Sequence, residues 1–169
     1  MTKDNRKEYF EELEKKSREI TKQVALEEDE SGYICRAAFS TMKDAEGICF
    51  FETQIFDVWE DMPVLEIRVI PQFVISESGM DQVREMVQQM NLHMPLGTLG
   101  IHFATGHLFW RMSIPADTEK TAADFAAYTI KLYEKTATII GAIYEPMRRV
   151  AAGESSFAEE VEAGNLVDQ

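Results

Sequence analysis

Few residues in this sequence are equipped for chemistry. It holds 3 histidines, His93, His102 and His107. His102 and His107 fall on the two arms of a predicted hairpin, diagonal on one face, with His93 upstream. A metal site takes three or four convergent ligands held in place by outer hydrogen bonds. Two diagonal histidines on a strand pair read instead as surface polar residues, so no metal ligand is assigned. Cys35 and Cys49 sit among apolar neighbours (Ile34, Ile48, Phe50), with no second Cys or His at a close ligand spacing. They read as buried free thiols rather than a disulfide. Glu60-Asp61 and Glu27 to Glu30 are acids in loops, where like charges stay solvated. General acid–base work needs a carboxyl of shifted pKa in a cleft, and nothing in the sequence encloses one. Ser76 and Ser78 lack a G-x-S-x-G setting. The glycines are isolated and form neither GxGxxG nor a Walker A loop. The sequence therefore reads as non-enzymatic, with no catalytic residue and no cofactor.

The apolar residues are more informative. Of 9 methionines, Met80, Met86, Met90 and Met94 surround a predicted second helix. Methionine fills irregular cores, and it also lines adaptable grooves that accept varied peptides. Core filling is the favoured reading and a groove the alternative. Phe109 is expected on the face of the hairpin away from the core, and Phe50 and Phe56 share one face of a strand. Such a face is covered by a helix or a dimer partner, or it is a binding surface. Phe109, Phe50, Phe56, Met86 and Met90 are thus the candidate partner-binding residues.

Composition bounds the partner. The 169 residues carry 17 Lys plus Arg against 30 Asp plus Glu, a formal charge of −13. An acidic chain with no basic block is a poor polyphosphate binder, so nucleic acid is not an expected partner. The N-terminal stretch MTKDNRKEYFEELEKK has no apolar core of a secretory signal. The longest uncharged apolar stretch in the C-terminal half, Ala137 to Tyr144, is far shorter than the ~20 residues of a membrane span. The chain is expected to be cytoplasmic, with no membrane partner. A chain of this length buries roughly 70% of its unfolded surface without a disulfide or metal.

The elements that would position these residues follow from periodicity. A first helix over residues 4 to 27 has Tyr9, Phe10, Leu13, Ile20 and Val24 as a narrow stripe. Glu11–Lys15, Glu12–Lys16 and Glu14–Arg18 form i,i+4 pairs worth about 0.3 kcal/mol each. The acidic run to Glu30 and Ser31-Gly32 end it. Strands are expected at Tyr33–Thr41, Ile48–Val58 and Val64–Ile75, linked by a turn at Lys43–Gly47 and a connection at Trp59–Pro63. Pro71 marks a strand end or edge. The second helix spans about Met80 to Leu92, with Ser78-x-x-Asp81 as a box-like cap. A two-residue turn at Thr105-Gly106 pairs Phe103 with Leu108 and Ile101 with Trp110. The last helix, about Thr118 to Val150, is capped by Asp117 or Thr121. Its stripe is Phe125, Tyr128, Leu132, Thr136, Ile139, Ile143, Met147 and Val150, and Pro146 should kink or shorten it. The expected fold is α+β: a five-stranded antiparallel sheet with flanking helices in the order α-β-β-β-α-β-β-α. Residues 1–153 form one domain. Residues 154–169 form an acidic tail that is weakly ordered or a peripheral helix.

The stretch Met90-Asn91-Leu92-His93-Met94-Pro95-Leu96-Gly97-Thr98-Leu99-Gly100-Ile101, the Phe109–Pro115 strand and the long helix after it resemble the YbjN-like family, over roughly Tyr33 to Gly153. Asn91, Pro95 and Gly97 carry the resemblance, and each also has a structural duty in ending a helix. The resemblance implies the fold of the type III secretion chaperones, which are small acidic homodimers that bind extended segments of other proteins. It supplies no catalytic residue. The expected function is a protein-binding module, secretion-chaperone-like or regulatory, that binds partner segments and itself as a homodimer. The alternative is a small-ligand sensor with a pocket between the last helix and the sheet.

Overall fold

A computed structural model of the chain describes residues 3–30, 32–40, 47–58, 62–117 and 119–167. Ser31, most of the expected turn at 43–47, Trp59, the Glu60-Asp61 pair, Thr118 and Asp168 lie outside the described residues. The elements are α1 (Lys3–Ile20), β1 (Val24–Asp29), β2 (Gly32–Ser40), β3 (Ile48–Asp57), β4 (Pro63–Pro71), α2 (Met80–Asn91), β5 (Thr98–His102), β6 (His107–Pro115), α3 (Ala122–Ala152) and α4 (Phe157–Glu162). One 6-stranded sheet has the order β1-β2-β3-β4-β6-β5. The fold is α+β with an antiparallel sheet and flanking helices, but among the described residues it has six strands rather than five, and four helices.

The extra strand is β1, which lies where the first helix was expected to continue. α1 ends at Ile20, and the β-branched residues Ile20, Thr21 and Val24 disfavour further turns. Glu27 to Gly32 then closes a hairpin, pairing Asp29 with Gly32 and Val24 with Ala37. The acids that looked like a helix terminus lie on a strand.

By contacts the chain divides into two compact units, the first comprising Met1–Phe39, Phe50–Arg68 and Met112–Ala137. Here the inner sheet face carries Cys35, Ala37, Phe39, Phe51, Thr53, Ile55, Leu65 and Ile67, all buried. Tyr9, Phe10 and Leu13 of α1 are buried with them, and Ser17 continues their stripe where Ile20, 52% exposed, does not. The Tyr9 ring lies 4.9 Å from Phe10 and 4.7 Å from Phe125, and Phe51 lies 5.0 Å from Tyr133. The Tyr9 hydroxyl and Thr129 Oγ1 share a hydrogen bond of 3.0 Å, and Tyr133 and Thr53 share another. These two polar pairs fix α1 to α3 and α3 to β3, because a tyrosine hydroxyl buried without a partner is costly; Thr129 Oγ1 also donates to the Phe125 carbonyl at 3.1 Å.

The second unit comprises Ser40–Cys49, Val69–Arg111 and Thr138–Gln169. The hairpin between β5 and β6 has a four-residue loop, Phe103 to Gly106, because His102 pairs with His107 and Ile101 with Leu108. Gly106 takes a φ of 66°, and its N–H and that of Thr105 both bond the His102 carbonyl. That closure needs more chain than a two-residue turn. The core-side assignments of Leu99, Ile101, Leu108 and Trp110 survive the shift, but Phe103 is 66% exposed. α2 begins after Gly79, not on a Ser78 box. Ser76 Oγ accepts the Gly79 N–H at 3.0 Å, and a side chain at Gly79 would collide with the Ala151 carbonyl.

Thr121 Oγ1 does cap α3, accepting the Asp124 N–H at 3.1 Å. Of the expected stripe of α3, Phe125, Thr136, Met147 and Val150 are buried, but Thr129, Tyr133, Ile140 and Tyr144 take the inward places given to Tyr128, Leu132, Ile139 and Ile143, and Tyr128 is 40% exposed. Pro146 does not shorten it. Within the second unit, the segment after Gly153 carries α4. Its Ser156–Glu159 capping box is complete, and Phe157 and Leu166 are buried. Among the described residues, no helix is long and apolar enough to cross a membrane.

Candidate functional site

Strand alternation sends Arg36, Phe50, Glu52, Gln54 and Phe56 to the outer face of the first unit, opposite the helices. Phe50 and Phe56 share that face of β3, as their spacing implied. Phe50 is 37% exposed and Phe56 half-buried. Arg36 lies at the middle of this face. Its Nε donates to Glu52 at 2.7 Å and its other nitrogen donates to Glu27. The Glu52 carboxylate and then Glu27 raise the Arg36 pKa, so the guanidinium stays charged. The result is a charge ladder across β1, β2 and β3. Exposed ladders of this kind contribute well under 1 kcal/mol per pair. They order the surface more than they stabilise it.

Beside the ladder lies a shallow groove of about 330 Å³, whose walls include Val24, Ala25, Arg36, Ala38 and Phe50. Two alanines and a phenylalanine make its lining mainly apolar, and Arg36 closes one side. The groove reaches the outer edge of the sheet, where β1 is the terminal strand. Arg18 touches that edge. One of its nitrogens donates to Glu14 at 2.7 Å and to the Val24 carbonyl at 3.0 Å.

The other sequence candidates lie in the second unit. Met86 and Met90 are 0% and 3% exposed on the inner side of α2, as core filling requires. Phe109 is half-buried and is the cross-strand partner of Gly100, and a Cβ at Gly100 would meet the Phe109 ring at 2.5 Å. Its ring covers a glycine that has no side chain of its own to pack. His102 and His107 face each other directly rather than diagonally, and His102 Nδ1 bonds Thr105 Oγ1 at 2.9 Å. Among the described residues, no three His, Cys, Asp or Glu converge as a metal site.

The Asn91-x-x-x-Pro95-x-Gly97 segment has a clear physical role. Asn91 Oδ1 accepts the Leu99 N–H at 2.7 Å, and its Nδ2 donates to the Leu99 carbonyl at 3.0 Å. One side-chain amide thus imitates a neighbouring strand along the outer edge of β5. Gly97 has a φ of 73°, and a side chain there would enter the Trp110 ring. The Trp110 indole donates to the Leu96 carbonyl at 3.0 Å.

Both cysteines are buried and neither forms a disulfide. Burial, reinforced by the Glu14 charge, pushes Cys35 up to about 12. A thiol of that pKa is no nucleophile at neutral pH.

Sequence reasoning found Phe50 and Phe56 but missed Arg36, Glu27 and Arg18 as parts of one surface. The available signal was the β-branched run Ile20, Thr21 and Val24 ahead of the turn residue Gly32, which a helix reading obscured. Compared with known proteins, the chain matches no family model and no curated protein.

Proposed function

We propose that the chain is a non-enzymatic, cytoplasmic protein-binding module that captures an extended segment of a partner protein and also associates with itself. The observation that carries this reading is the outer side of β1–β3, where exposed Phe50 overhangs an apolar groove next to the terminal strand. A terminal strand can accept a further strand through its backbone, while side-chain pockets select the sequence. The resemblance to the YbjN-like and secretion-chaperone folds points to the same kind of partner. Self-association uses the same uncovered face.

The reading is tested by purifying the tagged chain with its companion protein at fixed stoichiometry. Phe50→Asp abolishes the companion without changing the melting temperature, whereas Tyr128→Asp, an exposed change on α3, retains it. Retention by both variants contradicts the reading.

A further inference from the structure

Resting on the protein-binding reading, we propose that the captured segment is basic and extended, that it adds as a strand along β1, and that Arg18 is the block it displaces. Backbone direction identifies the edge. The Ala38 N–H donates to the Gln23 carbonyl at 2.9 Å, so Gln23 faces β2. Antiparallel alternation then points Ala25 and Glu27 to β2 and turns the N–H and C=O of Val24, Leu26 and Glu28 outward. The two terminal strands of the sheet differ in how they are closed. Asn91 occupies both outward groups of Leu99 on β5 with bonds of 2.7 and 3.0 Å. On β1 the closure is the guanidinium of Arg18, whose side chain is 51% exposed, on the Val24 carbonyl. An exposed arginine can swing aside toward Glu14, which it already bonds, at little cost.

Charge decides the occupant. β1 reads VALEED; its last three residues, Glu27, Glu28 and Asp29, are exposed, and Leu26 before them is half-buried. Antiparallel pairing of full length with the β1 of a second copy would set Glu27, Glu28 and Asp29 opposite Leu26, Ala25 and Val24 of its twin and leave the acids without a counter-charge, while a register centred on Glu28 would set acids against acids, which is destabilising. Lysines or arginines of an added strand would meet Glu28 on one side. Small or apolar residues on its other side would meet the groove at Ala25 and Phe50. Charged terminal strands also serve to keep sheet edges apart, and that opposite role predicts no binding at all.

The test is fluorescence anisotropy with a labelled peptide of about ten alternating lysines and valines, the upper end of usual strand lengths. A second peptide has the same sequence with N-methyl groups on alternate amides, which keeps the charge and blocks strand pairing. The unmethylated peptide binds at least tenfold tighter. Arg18→Ala strengthens its binding several-fold. Glu28→Pro, which removes an outward N–H, weakens it well beyond the charge control Glu28→Gln, with β1–β2 amide protection confirming that the hairpin is intact. Equal binding of both peptides means charge attraction alone and overturns the proposal, as does indifference to Arg18→Ala and Glu28→Pro. Failure to bind either peptide, with dimers cross-linked through β1, overturns it in favour of a second copy. If Phe50→Asp still releases the companion protein while the peptide fails, the binding reading stands and only the edge assignment falls.

Discussion

Cys35 and Asn91 show how surroundings set what a side chain does. Cys35 is 0% exposed with its pKa pushed up to about 12, so its thiolate is absent at neutral pH. Iodoacetamide at pH 8 should leave Cys35 and Cys49 unmodified in the folded chain and label both in denaturant. Mass spectrometry showing native labelling of Cys35 would contradict its burial. Asn91 acts through hydrogen-bonding capacity. Asn91→Ala removes two bonds to Leu99, each worth about 1 kcal/mol, and should lower stability by roughly that sum. Gly97→Ala combines a left-handed backbone with a clash against Trp110 and should cost more, about 2 to 4 kcal/mol in denaturant unfolding. The sequence resemblance rested on these residues, and their duties in the second unit are structural. Their spacing could be read directly, because helix termination and an edge clasp both constrain residue type. Arg36 left no such mark, since an isolated arginine on a strand is common and its partners Glu27 and Glu52 lie far along the chain.

At the scale of elements, the strongly periodic segments were legible and the ambiguous one was not. β2, β3 and α2 fall within a few residues of their expected bounds because apolar alternation or a helical stripe runs through each. β1 failed because its acids fit a solvated helix as well as an edge strand, and only pairing with β2 distinguishes the two. The stripe of α3 held at Phe125, Thr136, Met147 and Val150 and missed the positions between them, because the helix is apolar on more than one side. Tyr133 and Tyr144 point inward and Tyr128 outward, a choice made by packing rather than by residue type. Near the C-terminus, α4 is tied to α3 by Arg149, whose nitrogens lie 2.6 and 2.7 Å from the Glu160 carboxylate. This bond, assisted by Asn165, lowers Glu160 from 4.5 to about 2. A carboxylate depressed in the folded state stabilises above its ordinary pKa and loses that stabilisation as pH falls toward the folded value. The α4 amides should therefore exchange faster as pH drops from about 4.5 toward 2, after correction for intrinsic rates. Glu160→Gln should flatten that dependence. A wild-type chain with pH-independent α4 protection would show that the contact contributes nothing.

For the whole molecule, the net charge of −13 and the outer face of the first unit, where Phe50 is 37% exposed, work together. The charge repels nucleic acid and favours basic segments, and the face supplies apolar contact where Phe50 is exposed. Self-association should be concentration-dependent in light scattering and weaken in high-charge variants of Phe50. A strict monomer at every concentration would remove the homodimer from the proposal and leave segment capture standing. The central claim is most directly tested by a photo-cross-linking amino acid placed at Phe50 in cells that make the protein, followed by mass spectrometry of the adduct. The account predicts an extended, basic segment of another protein joined at that position, beside any adduct with a second copy of the chain. Adducts confined to the chain itself, or no adduct while the same group at Tyr128 cross-links freely, would contradict it.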